Sequence, residues 1–151
     1  MVIDEIDRRI IQHLTEDARM SATDLARAVS MSASATTERI RRLRTSGLIR
    51  RFTIELDREV LGRSIDAFVD VRLRSDATKS EADGALADID AVVDSTHVTG
   101  RYDYQLALAC RDVADLDAVL NEIIDRMGAE ETNTRLLLRR LDGFPRDPTP
   151  D

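Results

Sequence analysis

The stretch Ser32–Leu48, SASATTERIRRLRTSGL, decides how the rest of the chain is read. Ser32 is a natural N-cap. Ala35, Arg39 and Leu43 recur at helical spacing on one stripe, with Ile40 beside Leu43, and Gly47 ends the run. The spacing predicts one helix with a thin but continuous buried side. Ser34, Thr37, Arg41 and Arg44 then face outward. Short hydroxyls followed by arginines suit a helix whose first turns approach base edges while its later turns meet phosphates. The same residues would also make an ordinary solvated surface helix. Charge separates the two readings: from Arg39 to Ile54 the chain carries Arg39, Arg41, Arg42, Arg44, Arg50 and Arg51 and no acid, whereas a solvated helix normally mixes signs.

The net charge of −7 argues against a nucleic-acid partner until it is divided by position. Residues 1–62 hold 11 Arg and 10 Asp or Glu, net +1, while residues 63–151 hold 11 Lys or Arg and 19 acids, net −8. A near-neutral half with a basic stripe can bind phosphate, and the acidic half would be repelled from it. With 42% hydrophobic and 34% charged residues, the 151-residue chain has a globular composition and room for one domain or two small ones. Its apolar runs are only a few residues long and its N-terminus lacks a signal-peptide pattern, so a cytoplasmic protein with no membrane partner is expected. The single cysteine, Cys110, has no internal disulfide partner and is expected to be a small core residue.

Outward from that stretch, Ile6, Ile10, Ile11 and Leu14 predict a helix over Asp4–Glu16. Ser21 caps a second over Ala22–Ser30, with Leu25, Ala26 and Val29 buried. Three helices this short need one another, and together they predict a helix-turn-helix. Leu48–Leu56, LIRRFTIEL, reads as a following strand, a wing. The charged segment 57–63, DREVLGR, is expected to be a hinge. Beyond it the period changes to 2. Strands are expected from Ile65, from Val92 to Thr99, from Tyr102 to Cys110 and from Glu131 to Leu141. Helices are expected over Lys79–Ile89 and from the Asp112 cap to Gly128. That order is a ferredoxin-like βαββαβ unit: an antiparallel sheet with both helices on one face. Phe68, Ala107 and Ala109 fall on the other face, which is expected to be bare and covered by a second protomer. The expected fold class is therefore α+β, with a winged helix-turn-helix over 1–56, the hinge over 57–63, the ferredoxin-like domain over 64–143 and a loose proline-bearing tail over 144–151.

With both halves read, the chain resembles the Lrp/AsnC (feast/famine) transcription regulators from Ile3 to about Leu141. The resemblance is carried by IDEIDRRII (3–11), DARMSATDLARAV (17–29), SASATTERIRRLRTSGLIRRF (32–52) and VTGRYDYQLAL (98–108), four motifs in family order. It implies a DNA-binding regulator whose DNA binding or oligomeric state responds to a small effector, commonly an amino acid. The implied partners are double-stranded DNA and further copies of the chain, as a homodimer or higher oligomer. No cofactor, metal or catalytic residue is implied. Departures from the family pattern are Ser30 where a turn glycine is usual, Thr36 at a usually apolar position, Glu38 close to the DNA face, and Gln105 in place of a leucine. An alternative keeps the fold and changes the class, since siroheme decarboxylase subunits resemble the same family.

For the DNA face, Ser32, Ser34 and Thr37 are expected near base edges, and Arg41, Arg44, Arg50 and Arg51 at phosphates. Arg39 matches the family's fixed arginine and lies on the packed stripe, so a structural role is expected. For the effector, the turn Thr99, Gly100, Arg101, Tyr102 and Asp103 could hold a carboxylate on free N–H groups and an ammonium on Asp103. On the bare residues a plain hairpin turn with a surface aspartate is the stronger reading, and the resemblance reverses that order. Thr132 and Thr134 are further effector candidates from the last strand. His97 fits no metal spacing and is expected to be a packed or interface residue.

Overall fold

A computed structural model describes residues 2–139, and the chain divides into two compact units between Glu55 and Leu56. The first unit holds α1 (Glu5–Glu16), α2 (Ala22–Ala28) and α3 (Ala33–Thr45). Each helix starts on a side-chain cap: Asp4, Ser21 and Ser32 accept from the N–H three residues on, which satisfies donors the first turn leaves open. Ile10, Leu25, Val29 and Leu43 form the buried centre, ringed by Ile6, Ile11, Leu14, Met20, Met31, Ile40 and Ile49. Helices of 7 to 13 residues are marginal alone, so this shared centre is what holds them. Between α2 and α3 the chain reverses at Ser30, whose φ of 58° lies in the left-handed region, and the Met31 N–H reaches back to the Ala26 carbonyl at 2.9 Å. That is a helix stop usually made with glycine, here made with a serine.

The expected wing is not a strand. Residues 50–57 have no regular pairing, and Phe52, Ile54 and Leu56 are all exposed. A strand exists only against a second backbone that takes its N–H and C=O groups, and the described residues offer this segment none. Segment 57–63, expected to be a hinge, folds as a hydrogen-bonded turn. Asp57 Oδ1 accepts from the N–H groups of Glu59 and Val60 at 2.9 and 3.1 Å, and Arg63 N–H returns to the Arg58 carbonyl at 2.8 Å. Arg58 then pairs with Asp66 at 2.8 Å and Arg63 donates to the Ala109 carbonyl at 2.7 Å, which fastens the turn to the second unit.

That unit runs β1 (Ile65–Leu73), α4 (Lys79–Leu86), β2 (Val92–His97), β3 (Tyr104–Cys110), α5 (Val113–Met127) and β4 (Ala129–Leu136). The sheet order is β2-β3-β1-β4 and every pairing is antiparallel. Ala67, Val69, Val71 and Leu73 of β1 and Tyr104, Leu106, Leu108 and Cys110 of β3 turn to the helix side and are buried against Ala82, Leu86, Leu116, Val119, Ile123 and Met127. Full burial of each large aliphatic side chain contributes about 1.5–3 kcal/mol, so this layer dominates the unit's stability. Gly128 ends α5 at φ 68°, and a Cβ there would stand 3.1 Å from the Ala77 Cβ. The last strand starts two residues earlier than expected and ends at Leu136, because Leu73 pairs with Ala129 across a register shift. The expected continuation to Leu141 lies partly outside the described residues, as does the tail over 144–151.

The opposite face of the sheet carries Phe68, opposite Ala107 and Arg135, as the alternation requires. It is not bare. Asp70 sits at its middle, only 9% exposed, and accepts from Gln105 Nε2 at 3.0 Å, Asn133 Nδ2 at 3.3 Å and the Arg135 guanidinium at 2.8 Å. Ala109, expected to be open, is fully buried. Gln105, the departure from the family pattern, is thereby a donor to a buried carboxylate.

Candidate DNA-reading helix and effector turn

Along α3, Ser34, Thr37, Arg41 and Arg44 are exposed while Thr36 and Leu43 are buried, so the outward face is the one the spacing implies. Ser32 Oγ is occupied as the cap, accepting from Ala35 N–H at 3.2 Å. Thr37 donates its hydroxyl proton to the Ala33 carbonyl at 2.9 Å, which leaves an oxygen lone pair and a methyl group facing out. Thr36 meets its buried position by the same back-bond, to the Ser32 carbonyl at 3.0 Å.

The arginines divide into two sets. Arg39 donates to Asp4 at 2.6 Å and to Asp7 at 2.8 Å, and Arg42 donates to the other Asp7 oxygen. Asp7 is fully buried between α1 and α3. These contacts raise the pKa of Arg39, and the Asp7 N–H together with Arg39 lowers that of Asp4. Arg41 is clamped by Glu38 through two N–H groups, a contact that lowers the Glu38 pKa. The basic stripe is uninterrupted only in the sequence: in the folded unit Asp4, Asp7 and Glu38 neutralise three of its six charges. Arg44 lies over the Phe52 ring at 5.9 Å, and Arg50 and Arg51 are exposed with no carboxylate partner among the described residues. The α1 acids could have been suspected from their place in IDEIDRRII, but a pairing across more than thirty residues leaves no periodic signal.

In the second unit the chain between β2 and β3 is a bend over residues 98–103, with Gly100 at φ 108°. Val98 N–H bonds to the Asp103 carbonyl at 3.0 Å, and Asp103 N–H to the Val71 carbonyl at 2.8 Å. The N–H groups of Thr99, Gly100, Arg101 and Tyr102 make no hydrogen bond among the described residues. Asp103 is not a plain surface carboxylate. Its Oδ2 accepts from Leu73 N–H at 3.0 Å, leaving Oδ1 facing Lys79 Nζ at 3.8 Å. Arg101 and Tyr102 both reach Glu131, the guanidinium by an ion pair and the phenol at 3.4 Å. Glu131 pairs with Arg72 across the strands at 3.1 Å. Thr132 and Thr134 stand opposite Val71 and Val69, on the helix side of the sheet, so they are not gathered with Arg101 and Tyr102. Arg72 and Glu131 are the residues beside this turn that sequence reasoning missed.

His97 packs against Tyr104 with the rings tilted and their centroids 4.4 Å apart, and both reach Asp83 Oδ1, at 3.0 and 2.8 Å. Those bonds lower the Asp83 pKa, while burial raises that of Tyr104. Cys110 is fully buried, with its thiol pKa raised by burial. Among the described residues no cluster of histidine, cysteine and carboxylates is arranged to hold a metal, and no helix is long and apolar enough to cross a membrane.

Residues 3–44 match the family model of the AsnC-type helix-turn-helix domain, and residues 66–145 match that of the Lrp/AsnC ligand binding domain. The HTH-type transcriptional regulator FL11 of Pyrococcus horikoshii is 33% identical over 91% of this chain and 90% of its own length. The HTH-type transcriptional regulator Rv2324 of Mycobacterium tuberculosis is 31% identical over 92% of this chain and 94% of its own. Among solved structures, the feast or famine regulatory protein Rv3291c of M. tuberculosis complexed with L-methionine superposes with a TM-score of 0.90 at 25% identity. It covers 99% of this chain and 100% of that one.

Proposed function

The chain belongs to the Lrp/AsnC family of transcriptional regulators, and from that premise we propose that α3 enters the DNA major groove while the second unit takes an α-amino acid at the 98–103 bend. The observation that carries the DNA half is the exposed row Ser34, Thr37, Arg41 and Arg44 on a helix whose other side is packed. Thr37 offers a methyl group and an acceptor to base edges. Arg44, Arg50 and Arg51, free of carboxylates among the described residues, supply the phosphate contacts.

For the effector half, four N–H groups at the bend that are unbonded among the described residues suit a carboxylate, and Asp103 Oδ1, which needs only Lys79 to move aside, suits an ammonium. The methionine complex of Rv3291c supports an amino acid as the class of ligand. The active form is a homodimer or higher oligomer that joins through the sheet face around Phe68, 37% exposed among neutralised polar side chains. The enzyme alternative is the weaker reading: His97 is engaged with Asp83 and Tyr104, and Cys110 is buried with a raised pKa.

The test is a gel shift against DNA upstream of the chain's own gene, with and without a panel of amino acids, beside sedimentation of the same samples. A specific complex whose mobility or affinity changes with one amino acid is expected. Coupling of about 1–3 kcal/mol would shift apparent affinity roughly 5- to 150-fold. Binding that is equal on all sequences and indifferent to every amino acid would overturn the proposal.

A further inference from the structure

Glu38 is the one carboxylate on the outward face of α3, and among the described residues its hydrogen bonds are to Arg41 alone: Oε2 accepts from Nε at 2.8 Å and Oε1 from a terminal nitrogen at 2.5 Å. Both side chains are well exposed, at 62% and 65%. The pair therefore differs from Arg39 and Arg42, which are fastened to a buried aspartate. An exposed pair three residues apart on a helix adds little to stability, since water already solvates both charges, so the fold has little need of it. It stands on the helix face between Ser34 and Arg44, where a duplex would lie. The consequence for binding follows from the donor count. A guanidinium gripped on two N–H groups cannot offer the same edge to a phosphate, and the carboxylate itself repels the backbone.

We infer that the Glu38–Arg41 pair is a selectivity latch: it penalises sequence-independent docking and is relieved only where the major groove offers a hydrogen-bond donor to Glu38 and an acceptor pair to Arg41. A C·G pair offers both, the cytosine N4 amino group for the carboxylate and guanine O6 and N7 for the guanidinium. Elsewhere the arginine stays held by its carboxylate, and Glu38 faces the negative charge of the backbone. The pair thus adds a specificity determinant to the helix beside Thr37, although its net charge is zero. This rests on the reading that α3 enters the major groove.

The experiment uses the full chain as wild type, Glu38→Gln, Arg41→Ala and the double variant, with a random-sequence duplex as probe over a salt series. In parallel, wild type and Glu38→Gln each select from a randomised duplex library. Glu38→Gln should bind the random duplex roughly two- to fivefold tighter at low salt. Its log–log salt slope should steepen by about 0.9, one phosphate's worth, as Arg41 is released. In the Glu38→Gln background, Arg41→Ala should cancel the gain in both affinity and slope. The selected sequences should show a C·G position with wild type that the variant loses. If Glu38→Gln matches wild type in affinity and slope on the random duplex, the latch is wrong and the DNA reading stands. If wild type binds neither the random duplex nor any selected one, both fall together.

Discussion

Asp7 of α1 and Arg39 of α3 meet at 2.8 Å with the carboxylate wholly removed from solvent, and Arg42 closes on its second oxygen. The contact ties the first helix to the helix proposed to read DNA. It also uses two guanidiniums that would otherwise count as phosphate ligands.

Removing Asp7 leaves two guanidiniums facing an emptied polar site. Breaking a buried ion pair from one side costs roughly 3–5 kcal/mol, and the partial water access of both arginines puts Asp7→Ala near the lower end, about 3 kcal/mol. Urea unfolding of the full chain should show the first unit lose this much stability while the second is unchanged. A loss below about 1 kcal/mol would make the pair a surface contact.

The two sets of arginines predict opposite phenotypes. Arg44→Ala should lower the salt slope of duplex binding by about 0.9 and leave thermal stability nearly intact. Arg39→Ala should destabilise the first unit by more than 1 kcal/mol, because it strips a partner from the buried Asp7 carboxylate. Equal salt slopes in wild type and Arg44→Ala would remove Arg44 from the phosphate contacts.

In the proposed effector site Asp103 would have two duties, which one substitution can separate. Asp103→Asn keeps an oxygen for Leu73 N–H but loses the charge an ammonium needs, so it should melt like wild type and show no amino-acid response by calorimetry. Asp103→Ala should lose the response and about 1–3 kcal/mol of stability, the cost of an unsatisfied N–H. An Asn variant that still binds the wild-type effector with unchanged affinity would move the effector site elsewhere.

Acid should weaken the second unit through Asp115. The Arg111 side chain and N–H hold the Asp115 pKa down to about 2 from 3.8. A carboxyl with a depressed folded pKa contributes fully above its unfolded pKa and loses that contribution as pH falls through the folded one. The loss should therefore run from about pH 4 to about pH 2, and Asp115→Asn should flatten the stability curve of the second unit in that window. Denaturant midpoints taken across these pH values would check it, and parallel curves would refute it.

The helices and strands were legible because each rests on signals within one turn or one strand. Ser32 and Asp112 cap their own helices, β1 alternates along its own length, and the order of elements leaves one ferredoxin-like arrangement. At Ser30 the residues alone gave no signal: the resemblance, with its usual turn glycine, pointed to an unfavourable turn, and the structure gives it the left-handed φ. What only the tertiary structure decided are pairings between distant residues. Asp4 and Asp7 reach Arg39 and Arg42 from another helix, and Asp103 accepts from Leu73 thirty positions away. Asp70 gathers donors from two neighbouring strands. A charge read along the chain counts ions, whereas the free charge at a surface depends on which carboxylates the fold brings within 3 Å of them. The wing failed for the related reason that alternation shows a segment suited to pairing but cannot supply the second backbone that makes it a strand.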